Sequence, residues 1–358
     1  MKKRILCLLL SCMVCLASLP LAAFASDTNG VPCYIASEDC PDAYFEYAEE
    51  NISRFILSLN AGIDVSKVSV GTPFAFADND PDVFYFPVIY NGNIEYLFRV
   101  YPSGNSFSAA ITDFLSDEIE SLSHLTTTDT PMYLNSIENK IIATIGSNSY
   151  ELFQYPESMS DGNDLMPCGI ATEYTVKDVK SSPGIEINLR QARDVYEYIN
   201  LDISEDQDDE NWCTAFCLAA IIRTQTTFTT TARGLMIIAL GSNPDEDTPF
   251  PWYSDNGATM VSVANQYNLS PVVLTTTVSN SVLCQEINAG RPCIVAMTAV
   301  GGKHSVVLRG WSSLGTWSIW NPWDTFYENY SMDGAYVPTG KSAAKWSFKP
   351  YMHAYNFG

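Results

Sequence analysis

The spacing of apolar and polar residues predicts a first half built mainly from strands. Residues 82–90 and 93–101 are aromatic and β-branched runs separated by Asn91 and Gly92. An Asn-Gly pair between two such runs is a strong short signal for a β-hairpin. Three further elements are predicted in this half: a strand pair within residues 141–155, and helices over residues 45–59 and 111–123.

The second half has stronger helix patterns, followed by strands. Residues 215–223 read Ala-Phe-Cys-Leu-Ala-Ala-Ile-Ile-Arg, a run apolar enough for a helix that is buried on most sides. Other helices are predicted over residues 191–199, 259–267 and 282–288, and strands over residues 293–297, 305–308, 317–320 and 345–348. Helices first and strands afterwards predict an α+β fold.

The first 25 residues have the organisation of a secretory signal peptide. Lys2, Lys3 and Arg4 precede an apolar stretch over residues 5–21, and Ala23-Phe24-Ala25 provides small residues at a cleavage site. We therefore expect cleavage after Ala25, an extracellular product, and no membrane attachment after cleavage. The remaining chain is predicted to divide into a β-rich N-terminal domain, residues 26–185, and a second domain, residues 186–358.

Charge and composition exclude several classes of protein. The chain has 19 Lys and Arg against 41 Asp and Glu, a net charge of −22, whereas a nucleic-acid-binding protein needs a basic surface. Aromatic residues make up 12% of the chain, so a substantial core can form and disorder is not expected.

Cysteine usage leaves at least one thiol unpaired. Without the signal segment seven cysteines remain, which is an odd number in a chain expected to be exported. Cys33 and Cys40 lie close enough in sequence to form a small disulfide loop, and Cys284 and Cys293 are either core residues or a disulfide. The unpaired thiol is the residue of chemical interest.

No metal or nucleotide motif accounts for the chemistry. The three histidines are scattered without a His-Glu-x-x-His pattern, and the Gly-Lys-Ser sequence at residues 340–342 lacks the first glycine of a phosphate-binding loop. Cys213 is placed differently, at the predicted start of a helix that Asn211 could cap. A helix N-terminus stabilises a thiolate, which is the nucleophilic form of cysteine.

Three polar residues can complete a nucleophilic site around Cys213. His304 lies at the start of a predicted strand and can act as a base, while Asn321 follows the next strand and can orient its imidazole. Gln207 can donate a side-chain N–H to an oxyanion, together with the backbone N–H of Cys213. The four roles occur in the chain order Gln, Cys, His, Asn.

These residues carry a resemblance to a known family. Gln207, the segment Asn211-Trp-Cys-Thr-Ala-Phe216, the segment Gly302-Lys-His-Ser-Val-Val307 and Asn321-Pro-Trp323 resemble the papain-like cysteine peptidases, in particular the compact bacterial branch of staphopains and C39-like peptidases. The resemblance covers about residues 190–358. Thr214 departs from the papain pattern, which has an aromatic residue directly after the nucleophile.

The resemblance implies a two-lobed catalytic domain, with a helical lobe and an antiparallel sheet or barrel lobe. It implies that Cys213 is the nucleophile, His304 the base, Asn321 the orienting residue and Gln207 the oxyanion donor. Trp323 would shield the His–Asn hydrogen bond, and Trp212 and Trp323 would contact substrate. No metal or organic cofactor is implied.

The function expected from these features is that of a secreted cysteine endopeptidase, acting on protein or peptide substrates and made as a zymogen. Residues 26–185 would be a pro-domain that inhibits the site intramolecularly, or an accessory domain. Two alternatives remain open. One is an acyl-transfer enzyme on the same fold, of transpeptidase or transglutaminase type. The other is a surface binding module with a vestigial triad.

Overall fold

A computed structural model describes residues 31–59, 63–77, 82–156, 174–187, 196–207, 210–251, 257–274, 278–323 and 326–357. The predicted signal peptide lies outside these residues, as do Cys168 and the segment 188–195. In the part of the chain that is described, no helix is long and apolar enough to cross a membrane.

Seven α-helices lie within the described residues. They are α1 Asp42–Ser58, α2 Ser116–Leu122, α3 Cys213–Gln225, α4 Ala232–Leu240, α5 Ala258–Asn265, α6 Asn280–Asn288 and α7 Ala343–Trp346. Local chemistry sets several of their ends: the hydroxyl of Thr231 accepts from Gly234 N–H at the start of α4, and Gly241 ends that helix with a positive φ of 71°.

Strands account for most of the remaining regular structure. They are β1 Tyr34–Ser37, β2 Val68–Val70, β3 Phe84–Tyr90, β4 Asn93–Ser103, β5 Ser106–Thr112, β6 Met132–Ile137, β7 Lys140–Ile145, β8 Asn148–Gln154, β9 Thr175–Asp178, β10 Tyr196–Tyr198, β11 Pro271–Leu274, β12 Cys293–Ala299, β13 Gly302–Ser312, β14 Thr316–Trp320, β15 Tyr327–Ser331 and β16 Lys349–Phe357.

The described strands form two sheets. A five-stranded sheet has the order β8-β7-β6-β1-β9, and a larger one has the order β11-β16-β12-β13-β14-β15-β5-β4-β3-β2, with β10 paired to β13. The larger sheet crosses from the second half of the chain to the first where β15 pairs with β5, with Glu328 opposite Thr112 and Tyr330 opposite Ala110. Strands from the two halves are therefore hydrogen-bonded neighbours.

Both faces of the central strands are covered. Val295, Met297 and Val306 pack into one core cluster. The alternating residues Ile294 and Val307 pack into another, with α3, α4 and α5. Strands buried on both faces carry apolar residues at successive positions, as in Cys293–Met297 of β12 and Val306–Leu308 of β13.

The structure confirms the α+β class and most of the predicted elements. The Asn-Gly hairpin is β3 and β4, the strand pair within residues 141–155 is β7 and β8, and the predicted helices over residues 45–59, 215–223, 259–267 and 282–288 are α1, α3, α5 and α6. The three predicted strands between residues 293 and 320 are β12, β13 and β14.

One predicted helix starts later than expected, and two other element predictions were wrong. Residues 111 and 112 end β5, and the helix begins only at Ser116, because this segment pairs with β4 and β15. Residues 196–198 form β10 instead of a helix and pair with β13. Residues 345 and 346 belong to α7, whose start is capped by the Ser342 hydroxyl accepting from Ala344 N–H.

The predicted Cys33–Cys40 disulfide is absent, and of the two alternatives for Cys284 and Cys293 the structure shows core residues. Cys33, Cys40, Cys284 and Cys293 are all free thiols, and the other described cysteines, Cys213 and Cys217, are free as well. Cys33 is buried and Cys40 is partly exposed. Burial raises the pKa of both thiols to about 12, so neither is a thiolate at neutral pH.

Candidate active site

Cys213 is the first residue of α3, as the sequence predicted. The residue at the cap position is Trp212, and no side chain caps this helix end; Asn211 instead donates its backbone N–H to Glu246 O. The thiol side chain is partly exposed, in contrast to Cys217 one turn later, which is buried. The partly exposed thiol therefore lies at the positive end of a 13-residue helix dipole.

The start of α3 is held against β13 by a small polar contact. Thr214 and Ser305, the residues that follow Cys213 and His304, share a hydrogen bond between their hydroxyls at 2.8 Å. The thiol of Cys217 donates to the Ser305 carbonyl at 3.3 Å. These contacts fix the helix carrying Cys213 beside the strand carrying His304.

His304 and Asn321 are in direct contact. His304 Nε2 lies 2.8 Å from Asn321 Oδ1, and both residues are buried. His304 is on β13 and Asn321 directly follows β14, its neighbour in the sheet. The sequence spacing therefore predicted this pair correctly as neighbours on adjacent strands.

The surrounding donors decide the tautomer of His304. The backbone N–H of Trp323 donates to the same Asn321 Oδ1 at 3.1 Å, and a backbone N–H can only donate. The atom facing His304 is therefore the amide oxygen, so Nε2 must carry the proton. Nδ1 is then the basic nitrogen, and it is buried without a hydrogen-bond partner among the described residues.

Trp323 covers the imidazole. The two rings are stacked, with centroids 3.3 Å apart and planes 9° from parallel. The indole is itself buried, so it excludes water from one face of His304 and from the bond to Asn321. The position fits the shielding role that the resemblance implied for this residue.

Burial governs the protonation of both reactive groups. Burial lowers the pKa of His304 to about 3, and the hydrogen bond to Asn321 opposes this only in part. Burial raises the pKa of the Cys213 thiol, partly offset by hydrogen bonds from Ser305 and Thr214. The resting pair is thus a neutral imidazole and a neutral thiol.

This burial predicts an acid-sensitive contribution to stability. Above pH 6.5 the imidazole is neutral in both states. As the pH falls from 6.5 towards 3, the unfolded chain binds a proton that folded His304 does not, so folding is weakened. Between pH 7.5 and pH 5, the free energy of unfolding of the wild type should fall by about 2 kcal/mol more than that of His304→Gln.

Urea unfolding at both pH values measures this difference. The other titratable groups are common to the two chains and cancel in the comparison. Parallel pH dependences for wild type and His304→Gln would show that the imidazole is protonated as easily in the folded chain as in the unfolded one.

Gln207 is buried beside the segment that carries Asn321. Its backbone N–H donates to the Pro322 carbonyl at 2.8 Å, and its side-chain Nε2 donates to the Glu210 carbonyl. An amide nitrogen carries two protons, so this bond leaves one N–H of Gln207 available. Oε1 is buried without a partner among the described residues.

Trp212 lies on the interior side of the same loop. It is buried, and its indole Nε1 donates to the Asp245 carbonyl at 3.3 Å. In this position the ring packs with Phe216 and the rest of the helical core and holds the start of α3 in place.

Two residues at the site were missed by sequence reasoning. Tyr336 accepts a hydrogen bond from Asn321 Nδ2 at 2.9 Å, and its hydroxyl donates to Glu328 at 2.6 Å. Neither lies in a motif, and the links from Asn321 to Tyr336 and from Tyr336 to Glu328 form only in the folded chain. The one indication in the sequence was Glu328 itself, a glutamate among aromatic residues in a strand that is buried. No group of His, Cys, Asp and Glu in the described part of the chain could hold a metal ion.

Comparisons with known proteins give the family to which this chain is similar. Residues 194–347 match the Peptidase_C39 like family. Staphopain B of Staphylococcus aureus is 21% identical over 366 residues, covering 90% of this chain and 91% of that protein. Staphopain B of the strain MRSA252 is 21% identical over 277 residues, covering 69% and 70% of the two chains. The comparisons support a papain-like cysteine peptidase, a hydrolase.

Proposed function

We propose that this papain-like cysteine peptidase is an endopeptidase that hydrolyses peptide bonds through Cys213, His304 and Asn321, with Gln207 as oxyanion donor. The observation that carries the proposal is the fixed tautomer of His304. Because Asn321 Oδ1 holds the protonated Nε2, the imidazole presents Nδ1 as its base. A thiol at the start of α3 and a base on the adjoining strand are the two groups that nucleophilic catalysis needs.

In the first step, the thiol proton of Cys213 passes to His304 Nδ1 and the sulfur attacks the peptide carbonyl. The two resting groups are neutral, so the proton moves to Nδ1 as the sulfur attacks the carbonyl carbon. The helix dipole of α3 stabilises the thiolate, and the Asn321 amide oxygen stabilises the imidazolium through Nε2.

The tetrahedral oxyanion is held by two donors in this proposal. One is the backbone N–H of Cys213, which is free of helical partners because it opens α3. The other is the unused side-chain N–H of Gln207, whose backbone is fixed by Pro322. Such donors act most strongly in a site that excludes water.

Collapse of this intermediate breaks the C–N bond, and His304 returns the proton from Nδ1 to the leaving amine. A water then loses a proton to Nδ1 and attacks the thioester, which releases the acid and restores the Cys213 thiol. The cycle needs no cofactor, and Trp323 keeps bulk water from the His–Asn bond throughout.

The chain is proposed to be a secreted precursor, exported by a signal peptide cleaved after Ala25. The similarity to staphopain B extends over most of the chain, which supports residues 26–185 as a region shared with that peptidase. Intramolecular inhibition of the site by this region is part of the proposal, with protein or peptide substrates reaching Cys213 after processing.

The test combines thiol labelling with intact mass. The purified chain is incubated alone, then treated with an epoxysuccinate reagent and weighed. We expect one label at Cys213 and discrete self-cleavage fragments, both absent from Cys213→Ala. Specific activity on a casein substrate should rise as the fragments appear.

Cys284→Ala is the matched control, because Cys284 is also a partly exposed thiol but lies on α6. It should label and cleave like the wild type. Activity retained by Cys213→Ala would refute the proposed nucleophile. Transfer of the acyl group to an added amine in preference to water would favour the acyl-transfer enzyme over the hydrolase.

A further inference from the structure

A buried chain of hydrogen bonds runs from the candidate site into the N-terminal region, residues 26–185. Asn321 Nδ2 donates to the Tyr336 hydroxyl at 2.9 Å, which donates to Glu328 Oε1 at 2.6 Å. The other carboxylate oxygen of Glu328 accepts from Arg99 Nη2. Arg99 Nη1 continues the chain to the Thr339 hydroxyl at 2.6 Å.

Each hydrogen bond in this chain has a donor and an acceptor that the chemistry of the groups fixes. A guanidinium only donates and a carboxylate only accepts, so the Tyr336 proton must point to Glu328. The Tyr336 oxygen is then an acceptor for the Asn321 amide. That in turn fixes the amide oxygen towards His304, in agreement with the Trp323 N–H on the same oxygen.

The sheet places Arg99 and Glu328 on one face. Glu328 on β15 is opposite Thr112 on β5, and Thr112 is opposite Leu97 on β4. Arg99 is two residues beyond Leu97, and residues two apart on a strand point to the same side. The ion pair therefore bridges β5, the strand at which the two halves of the chain join.

The pair is too deeply buried to be explained by stability alone. Arg99 is 0% exposed and Glu328 is 1% exposed. Burial lowers the pKa of Arg99, but the Glu328 carboxylate and the nearby tyrosines together outweigh it and the net shift is upward, so the guanidinium stays charged. Apolar residues of similar volume often stabilise such positions equally well, so a buried ion pair here points to a positional role.

A second contact from the N-terminal region is made with Trp323, the ring that covers the imidazole. Tyr155 meets the Trp323 ring edge to face at a centroid distance of 6.0 Å, and Trp323 stacks on His304. The Tyr155 hydroxyl donates to the Thr339 carbonyl at 2.8 Å, so Tyr155 and Arg99 are both tied to the same residue. Two contacts, joined at Thr339, thus connect this region to the His304–Asn321 pair.

We propose that Arg99 is a positioning residue for the reaction: through Glu328 and Tyr336 it holds the Asn321 amide, and thereby His304, in the orientation that catalysis requires. The proposal rests on the proposed function of Asn321. It assigns Arg99 of the N-terminal region a part in building the active site, and it makes kcat, rather than substrate binding, the quantity that Arg99 controls.

Tyr336→Phe tests the proposal with the loss of one oxygen atom. It should lower kcat for peptide hydrolysis by about tenfold and leave KM little changed, since only the orientation of Asn321 is relaxed. Tyr101→Phe is the matched control: the Tyr101 hydroxyl is also buried and donates to the Ala335 carbonyl at 2.9 Å, outside this chain of bonds. It should retain the wild-type kcat.

Comparing the kcat of single and double variants shows whether Tyr336 acts through Asn321 or only stabilises the fold. In an Asn321→Ala background, Tyr336→Phe should cause no further loss of kcat, because the residue it positions is gone. A loss that is equally large in both backgrounds would overturn the proposal. Arg99→Lys, which keeps the charge but not the planar fork, should recover part of the activity lost in Arg99→Met.

The outcomes are distinguishable from failure of the proposed function. If Cys213→Ala remains active, the proposed function is wrong. If Cys213→Ala and Asn321→Ala are impaired while Tyr336→Phe has the wild-type kcat, only the positioning role is wrong. Circular dichroism and thermal melting of each variant confirm that the folded chain is being measured.

Discussion

Replacing Cys213 with Ala is expected to lower the rate of peptide hydrolysis by at least about 10⁴-fold, and adding His304→Gln should cost almost nothing more. The two groups act as a unit, because the imidazole has no proton to accept once the thiol is absent. His304→Gln alone should therefore be nearly as severe as the double variant. Steady-state hydrolysis of a fluorogenic peptide measures all three rates.

Cys217→Ala provides the control for this comparison. Cys217 lies one turn further along α3, is buried, and has a thiol whose pKa burial raises well above its ordinary value. Its loss should not produce a comparable fall in rate. Losses that simply multiply in the double variant would mean that Cys213 and His304 work independently, which would contradict the mechanism.

Replacing Arg99 with Met is expected to cost about 3–5 kcal/mol in the free energy of unfolding. The substitution leaves the Glu328 carboxylate buried without its ionic partner, and that charge cannot reach water. Urea unfolding of the full chain measures the loss. Lys180→Met is the control: its pair with Glu120 has side chains that are 7% and 13% exposed, so water can replace part of the lost contact and the cost should be smaller.

Removing both charges should restore stability without restoring catalysis. In Arg99→Met combined with Glu328→Met, no buried charge is left unpaired, so most of the unfolding free energy should return. In the double variant the Tyr336 hydroxyl has lost its acceptor Glu328, so kcat should stay low. Recovery of kcat together with stability would show that the ion pair serves the fold alone.

Local patterns predicted those elements whose causes lie in neighbouring residues. Asn91 and Gly92 specify a turn with positive φ at both positions, 52° and 88°, and the β3–β4 hairpin follows. The error at residues 345 and 346 has a similarly local origin, since the Ser342 cap that starts α7 was overlooked. Residues 111 and 112 could not be assigned locally, because pairing with β15 makes them strand.

The residues of the candidate site also fall into two groups: those that the sequence pattern predicts and those that only the fold brings together. Cys213, His304 and Asn321 are recognisable because their order and flanking residues form a pattern. Arg99 and Glu328 are 229 positions apart, so only the fold brings them together. A lone arginine inside the apolar run of β4 indicates a buried charge with a partner, but it does not indicate which acidic residue the partner is.

Because β5 pairs with β15, cleavage of the peptide chain does not by itself release the N-terminal piece. Cleavage between the N-terminal region and the remainder would break one peptide bond and leave the hydrogen bonds of this junction intact. Release of the N-terminal piece would turn β15 into an edge strand with unpaired backbone groups, and would open the Glu328 carboxylate to solvent. A processed preparation would then give two bands in a denaturing gel and a single peak on a sizing column, as expected for a complex of two polypeptides.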